Sequence, residues 1–74
     1  MIIIKVKQPT CREFPSGWAK FEYDDTTPRG RMIAEEHWHS IEIANRDRTQ
    51  LGLPAQMAEW VENDETKKTI KEVD

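Results

Sequence analysis

Six aromatic side chains must supply most of the core of this chain, because its single cysteine, Cys11, cannot close an intramolecular disulfide. A chain of 74 residues is one domain, and domains near 60 residues bury only about 60% of the surface that their unfolded chains expose. Aromatic residues bury large apolar areas. We therefore expect the core to be built mainly from Trp18, Phe21, Tyr23, Trp38 and Trp60.

Two N-terminal segments show the alternation that is typical of β-strands. In residues 2–7, β-branched residues occupy every second position, and in residues 18–23, Ala19, Phe21 and Tyr23 fall on one face. Sequential strands usually lie side by side. The sequence therefore predicts an antiparallel pair of strands near 2–7 and 18–23.

The middle of the chain favours helices. Apolar residues recur at helical spacing between Ala34 and Ala44, which predicts a helix near residues 32–46. Residues 37–43 also alternate, so a third strand there is the competing interpretation. We prefer the helix.

A second helix is predicted near residues 54–62. Pro54 suits the first turn of a helix, and Trp60 belongs to an apolar stripe at helical spacing. Beyond Glu62 the apolar pattern thins, so residues 63–74 should form a frayed or flexible acidic tail.

These patterns together predict an α+β fold, a small antiparallel ribbon or sheet packed against one or two helices. A lone pair of strands is barely stable in water, so a helix or a third strand must cover it. The compact domain should extend over residues 1–62.

Charge is unevenly distributed along the chain, whose net charge is −3. Residues 1–31 carry six Lys and Arg against four Asp and Glu, whereas residues 32–74 carry five against ten, a net charge of −5. An acidic half disfavours contact with a phosphate backbone. It favours a partner with a basic surface, because complementary charge accelerates association.

The N-terminal apolar run is too short for a signal peptide. No apolar stretch approaches the roughly 20 residues that span a bilayer. We therefore expect a cytoplasmic protein without membrane contact.

The segment Glu35-Glu36-His37-Trp38-His39 contains residue types that bind zinc. On a helix, His37 and His39 point about 200° apart and cannot share an ion, whereas on a strand they could. No Cys-x-x-Cys or His-x-x-x-His spacing accompanies them. We predict no metal site and no cofactor, with the two histidines flanking a core tryptophan.

A thiol enzyme would need a base within hydrogen-bond reach of Cys11. The sequence places neither His37 nor His39 next to this cysteine, and no paired carboxylates suggest acid–base catalysis. We therefore predict that the chain is not an enzyme.

Residues 51–61 read Leu-Gly-Leu-Pro-Ala-Gln-Met-Ala-Glu-Trp-Val. This segment resembles the turn and second helix of helix-turn-helix DNA-binding proteins. The resemblance implies a transcriptional regulator that reads DNA with residues 45–62 and presents Gln56 and Glu59 to the bases. The segment contains no Arg or Lys for base contacts, so this is our second functional hypothesis.

Our first hypothesis is a non-catalytic, protein-binding regulator that acts as an inhibitor or modulator. Short acidic chains without cofactors include proteins that phages direct against host machinery. We expect the target to be a nucleic-acid-handling machine, such as host RNA polymerase or a defence nuclease, whose basic channels attract acidic partners.

The chain is expected to be a monomer or a homodimer, and Trp18 offers aromatic area for a self-interface. The candidate partner-binding residues belong to an acidic stretch and a basic loop: Glu59, Glu62, Asp64, Glu65, Arg29 and Arg31.

Overall fold

The computed structural model describes residues 1–8 and 10–71. Within these ranges it contains β1 (Ile2–Lys7), β2 (Trp18–Tyr23), α1 (Pro28–Gln50), β3 (Ala58–Glu62) and β4 (Glu65–Ile70). The strands form one sheet in the order β2-β1-β3-β4, and every neighbouring pair is antiparallel. The predicted α+β class is confirmed.

β1 is an internal strand that pairs on both sides, and its β-branched residues are buried on one face. Ile2 and Ile4 have no exposed surface. Ile4 lies opposite Phe21 of β2 and opposite Trp60 of β3. The core therefore forms where β1 and β3 meet the helix.

α1 begins earlier and ends later than the predicted 32–46. Thr27 is the N-cap, and its hydroxyl accepts a hydrogen bond of 3.1 Å from the Gly30 N–H. Pro28 follows at the start of the helix, where its missing N–H costs nothing. Residues 37–43 lie within this helix, so the competing strand there is wrong.

The predicted second helix near 54–62 is wrong, because Ala58–Glu62 is a strand. The position of Trp60 fits both a helical stripe and the alternation of a strand. The strand forms because the edge of β1 that β2 leaves free needs a hydrogen-bonding partner. The side-chain amide of Asn45 on α1 bonds both the N–H and the C=O of Gln56, at 2.8 and 3.1 Å. These bonds hold the segment before β3 extended.

The predicted acidic tail is wrong over residues 65–70, which pair with β3 as β4. Asn63 and Asp64 form the connection and have φ of 53° and 63°. Two consecutive residues with positive φ make the two-residue turn that suits a twisted hairpin. Residues 72–74 lie outside the described residues.

The expected core aromatics divide into two groups. Trp38 and Trp60 are 5% and 2% exposed and meet edge to face, with ring centroids 6.1 Å apart. Tyr23 packs at the margin of this core. Phe21 is 41% exposed and Trp18 lies on the other side of the sheet, so these two do not build the core as expected.

Candidate binding surface

One face of the sheet is covered by α1 and the opposite face is open. Antiparallel sheets commonly leave one face in contact with water, and side chains alternate between the two faces along each strand. Ile2, Ile4 and Trp60 point towards α1. The residues between them therefore define the open face, which carries Ile3, Lys5, Lys7, Trp18, Lys20, Glu22, Glu59 and Val61.

Four of these residues form a compact group on β1 and β2, which we call the lysine cluster. Lys5 lies directly opposite Lys20, and Lys7 lies directly opposite Trp18. The Nζ of Lys7 is 5.2 Å from the centroid of the Trp18 ring, within range of a cation–π interaction. The cluster thus combines three cations with one partly exposed indole.

The Lys5–Lys20 pair is unfavourable for folding, since like charges directly opposite on neighbouring strands repel. Glu59 faces Lys5 from β3. The ion pairs found among the described residues nevertheless include no lysine of the cluster. These cations are therefore available to an anionic partner.

Glu62 and Arg31 are brought together, but they serve the fold. The Glu62 carboxylate accepts a bond of 3.2 Å from Trp60 Nε1 and one of 3.3 Å from Arg31 Nη1. These bonds hold the pKa of Glu62 below its ordinary value, and the bond from Trp60 contributes most. The pair connects the start of α1 to the end of β3.

Of the other predicted partner-binding residues, Asp64 and Glu65 adjoin Glu62, because Glu65 lies opposite Glu62 across the β3–β4 turn. Glu59 lies on the open face, and Asp64 occupies the β3–β4 turn. Glu65 accepts a bond of 2.7 Å from Lys67, which lowers the pKa of Glu65. Arg29 is exposed in the first turn of α1. Arg31, Glu62, Asp64 and Glu65 therefore lie near one another at the β3–β4 turn, whereas Glu59 lies on the open face.

His37 and His39 lie on different sides of α1. His37 packs against β2, where its Nδ1 is 2.7 Å from the Tyr23 hydroxyl and its ring centroid is 4.7 Å from that of Phe21. Burial lowers the pKa of His37 and raises the pKa of Tyr23. His39 is exposed on the outer side of α1.

Cys11 is exposed in the loop beyond the Lys7–Trp18 end of the sheet, whereas His37 contacts Phe21 and Tyr23. Across the described ranges, no three His, Cys, Asp or Glu side chains come close enough to hold a metal ion. The helix-turn-helix predicted at 45–62 is wrong, because its second helix is replaced by β3.

Sequence reasoning missed the lysine cluster as a unit. The sequence did contain a signal for it. In β1, Lys5 and Lys7 alternate on the same face as Ile3, and in β2, Trp18 and Lys20 alternate in the same way. Only the register shows that these positions are neighbours.

The 23-residue helix α1 is too polar to span a membrane, and the described ranges contain no other helix. Comparisons with protein families, with curated proteins and with solved structures find no match for this chain.

Proposed function

We propose that this chain is a non-catalytic regulator that binds a larger protein or complex through the lysine cluster. The observation that supports this most is the opposed pair of Lys5 and Lys20 on an uncovered sheet face. Such a pair opposes folding. A partner with carboxylates at the contact would relieve this repulsion.

Trp18 supports a protein partner. Tryptophan is enriched among the few residues that dominate the binding energy of protein interfaces, where it is surrounded by polar groups that exclude water. Trp18 is only half buried, and Lys5, Lys7 and Lys20 lie around it. The cluster therefore has an aromatic anchor with a charged rim.

The acidic residues expected to bind a basic surface contribute less to this proposal. Glu62 is bonded to Trp60 and Arg31, and Glu65 is bonded to Lys67. We accordingly propose that the partner is acidic at the contact. The target class remains a nucleic-acid-handling machine, such as RNA polymerase or a defence nuclease.

The packing of His37 supports binding rather than catalysis. This histidine, whose pKa is lowered by burial, is held between Phe21 and Tyr23 and lies on the side of the sheet opposite the lysine cluster. Cys11 lies in a separate loop. The groups suited to acid–base or nucleophilic chemistry are thus apart from each other and from the proposed interface.

The proposal is tested by affinity capture from host lysate with three immobilised forms of the protein. These are the wild type, Lys7→Glu within the cluster and Arg46→Glu as a matched charge reversal at an exposed position of α1. We expect wild type and Arg46→Glu to recover the same protein in stoichiometric amount. Lys7→Glu should recover at least about tenfold less, because it reverses the charge that lies 5.2 Å from the Trp18 ring.

A nuclease-treated lysate and a second variant complete the test. Loss of the partner after nuclease treatment would show that the cluster binds nucleic acid and would overturn the proposal. Equal recovery by all three forms would also overturn it. So would the recovery of no partner at either low or moderate salt. Lys5→Gln, which removes the like-charge pair, gives the same readout if Lys7→Glu unfolds.

A further inference from the structure

The sheet has two free edges, and they differ in regularity. The β4 edge follows a register shift between Trp60 and Val61 and carries Lys67 and Lys68, features that discourage pairing with another strand. β2 pairs with β1 without interruption over six residues. Its outer edge is therefore a regular, uninterrupted template for a further strand, and the charges of Lys20 and Glu22 restrict which strand can pair there.

The hydrogen-bond alternation shows which groups of β2 are free. Gln8 donates its N–H to the Gly17 carbonyl at 2.8 Å, and Lys7 donates its N–H to the Met57 carbonyl on the other side. Even-numbered positions of β1 thus bond to β2, so Phe21 directs its N–H and C=O towards β1. The N–H and C=O of Lys20 and Glu22 point outward.

We propose that a second copy of this chain pairs antiparallel along the β2 edge, with the two-fold axis at Phe21. In this register Lys20 of each copy lies opposite Glu22 of the second copy. The outward groups of these two residues form four backbone hydrogen bonds across the axis. Their side chains, both on the open face, form two opposite-charge pairs.

Charge selects this register over its neighbours. Shifting the strands one way places Lys20 opposite Lys20 of the second copy, and shifting them the other way places Glu22 opposite Glu22. Both alternatives set like charges across the axis. Lys20 already faces Lys5 within the chain, so Glu22 of the second copy supplies the opposite charge that Lys20 lacks.

The apolar residues beside the edge also fit a second copy. Phe21 and Ile33 are 41% and 40% exposed, and Ile33 precedes His37 by one helical turn on the same flank of α1. Phe21 pairs with Phe21 of the second copy at a position without backbone hydrogen bonds, where side chains approach most closely. The contact covers an aromatic ring that the monomer leaves open.

This pairing does not rest on the proposed function, since its backbone hydrogen bonds are made by the rim of β2, but it shares Lys20 with the lysine cluster. It would extend the sheet across both copies and bring the two lysine clusters onto one continuous surface. Formation of the dimer and binding of a partner are therefore measured separately.

The test is sedimentation equilibrium of charge variants, from about 1 µM to about 1 mM. Wild type should approach twice the chain mass of 8.7 kDa as the concentration rises. Lys20→Glu and Glu22→Lys should each raise the dimer dissociation constant by about tenfold or more, because each creates two like-charge pairs. Mixing these two variants should restore dimerisation, since every cross-axis pair in the heterodimer is again opposite in charge.

Arg46→Glu on the outer side of α1 is the matched control and should dimerise as wild type does. Amide exchange at Lys20 and Glu22 should slow as protein concentration rises. A monomer at every concentration would overturn the proposal. So would dimerisation of either single variant at wild-type strength, or a mixture of the two that stays monomeric.

Discussion

Asn45 shows how one buried polar side chain directs a whole segment. It is 7% exposed and lies on the inner face of α1 among apolar residues. Its amide group satisfies both backbone groups of Gln56, and the Gln56 side chain donates a bond of 2.6 Å to the Lys7 carbonyl. The helix, the approach to β3 and the end of β1 are thereby connected.

Replacing Asn45 tests this connection. Asn45→Ala should lower the free energy of unfolding by about 2–3 kcal/mol, because two partly buried backbone groups of Gln56 lose their partners. Urea denaturation measures the loss. Gln50→Ala, an exposed polar position near the end of α1, should stay within about 0.5 kcal/mol of wild type. Equal effects of the two variants would contradict the assigned role.

His37 predicts a pH dependence of stability. Burial lowers its folded pKa below the ordinary 6.5, so the unfolded chain binds the proton first as pH falls. The contribution of His37 to the free energy of unfolding is fully present above the pKa that His37 has in the unfolded chain. It is lost as the pH decreases through the pKa of His37 in the folded state. Stability should therefore fall as the pH decreases through the ordinary histidine pKa of about 6.5 towards the lower pKa of the folded state.

Denaturant unfolding of His37→Phe across this pH range provides the check. The variant keeps an aromatic ring against Phe21 and should lose most of the slope, whereas the exposed control His39→Gln should retain it. An unchanged slope in His37→Phe would assign the pH dependence to other groups.

At the scale of elements, the start of α1 depends on a glycine that helix propensity disfavours. Gly30 occupies the first turn, where its N–H bonds the Thr27 hydroxyl. A Cβ at this position would overlap the carbonyl oxygen of Asp24, in the segment that connects β2 to the helix. Helix propensity therefore favours another residue at position 30, but the close approach of the Asp24 carbonyl leaves room only for glycine.

Gly30→Ala should consequently destabilise the protein by about 1–3 kcal/mol, as overpacking does, although alanine favours helices by about 1 kcal/mol. Thermal and urea unfolding measure this change. Ser40→Ala, at an exposed position in the middle of α1, should be neutral or slightly stabilising. Stabilisation by Gly30→Ala would show that the connecting segment yields without cost.

β3 shows why an element with a clear pattern can be assigned wrongly. Met57, Trp60 and Val61 fit a helical stripe, while Ala58 and Trp60 fit alternation with Glu59 between them. The segment is too short to form a stable helix alone. Pairing with β1 satisfies its backbone and buries Trp60, so the strand forms.

At the scale of the whole molecule, folding gathers three cations of the basic N-terminal half onto one face of the sheet. β1 and β2 hold all three cations of the lysine cluster, while Glu62 and Glu65 of the β3–β4 hairpin are bonded to neighbouring groups. The net charge of −3 therefore describes the long-range field of the molecule and not its open face. A partner is selected at the surface by local chemistry.

The sequence by itself determined the α+β class, β1, β2 and the body of α1, because these depend on periodicity and local caps within single segments. Tertiary structure decided that residues 58–62 and 65–70 are strands, and that Lys5, Lys7, Trp18 and Lys20 share one surface. Strand pairing joins residues distant along the chain. Its register is set by which backbone and apolar groups find partners, and that information is absent from any single segment.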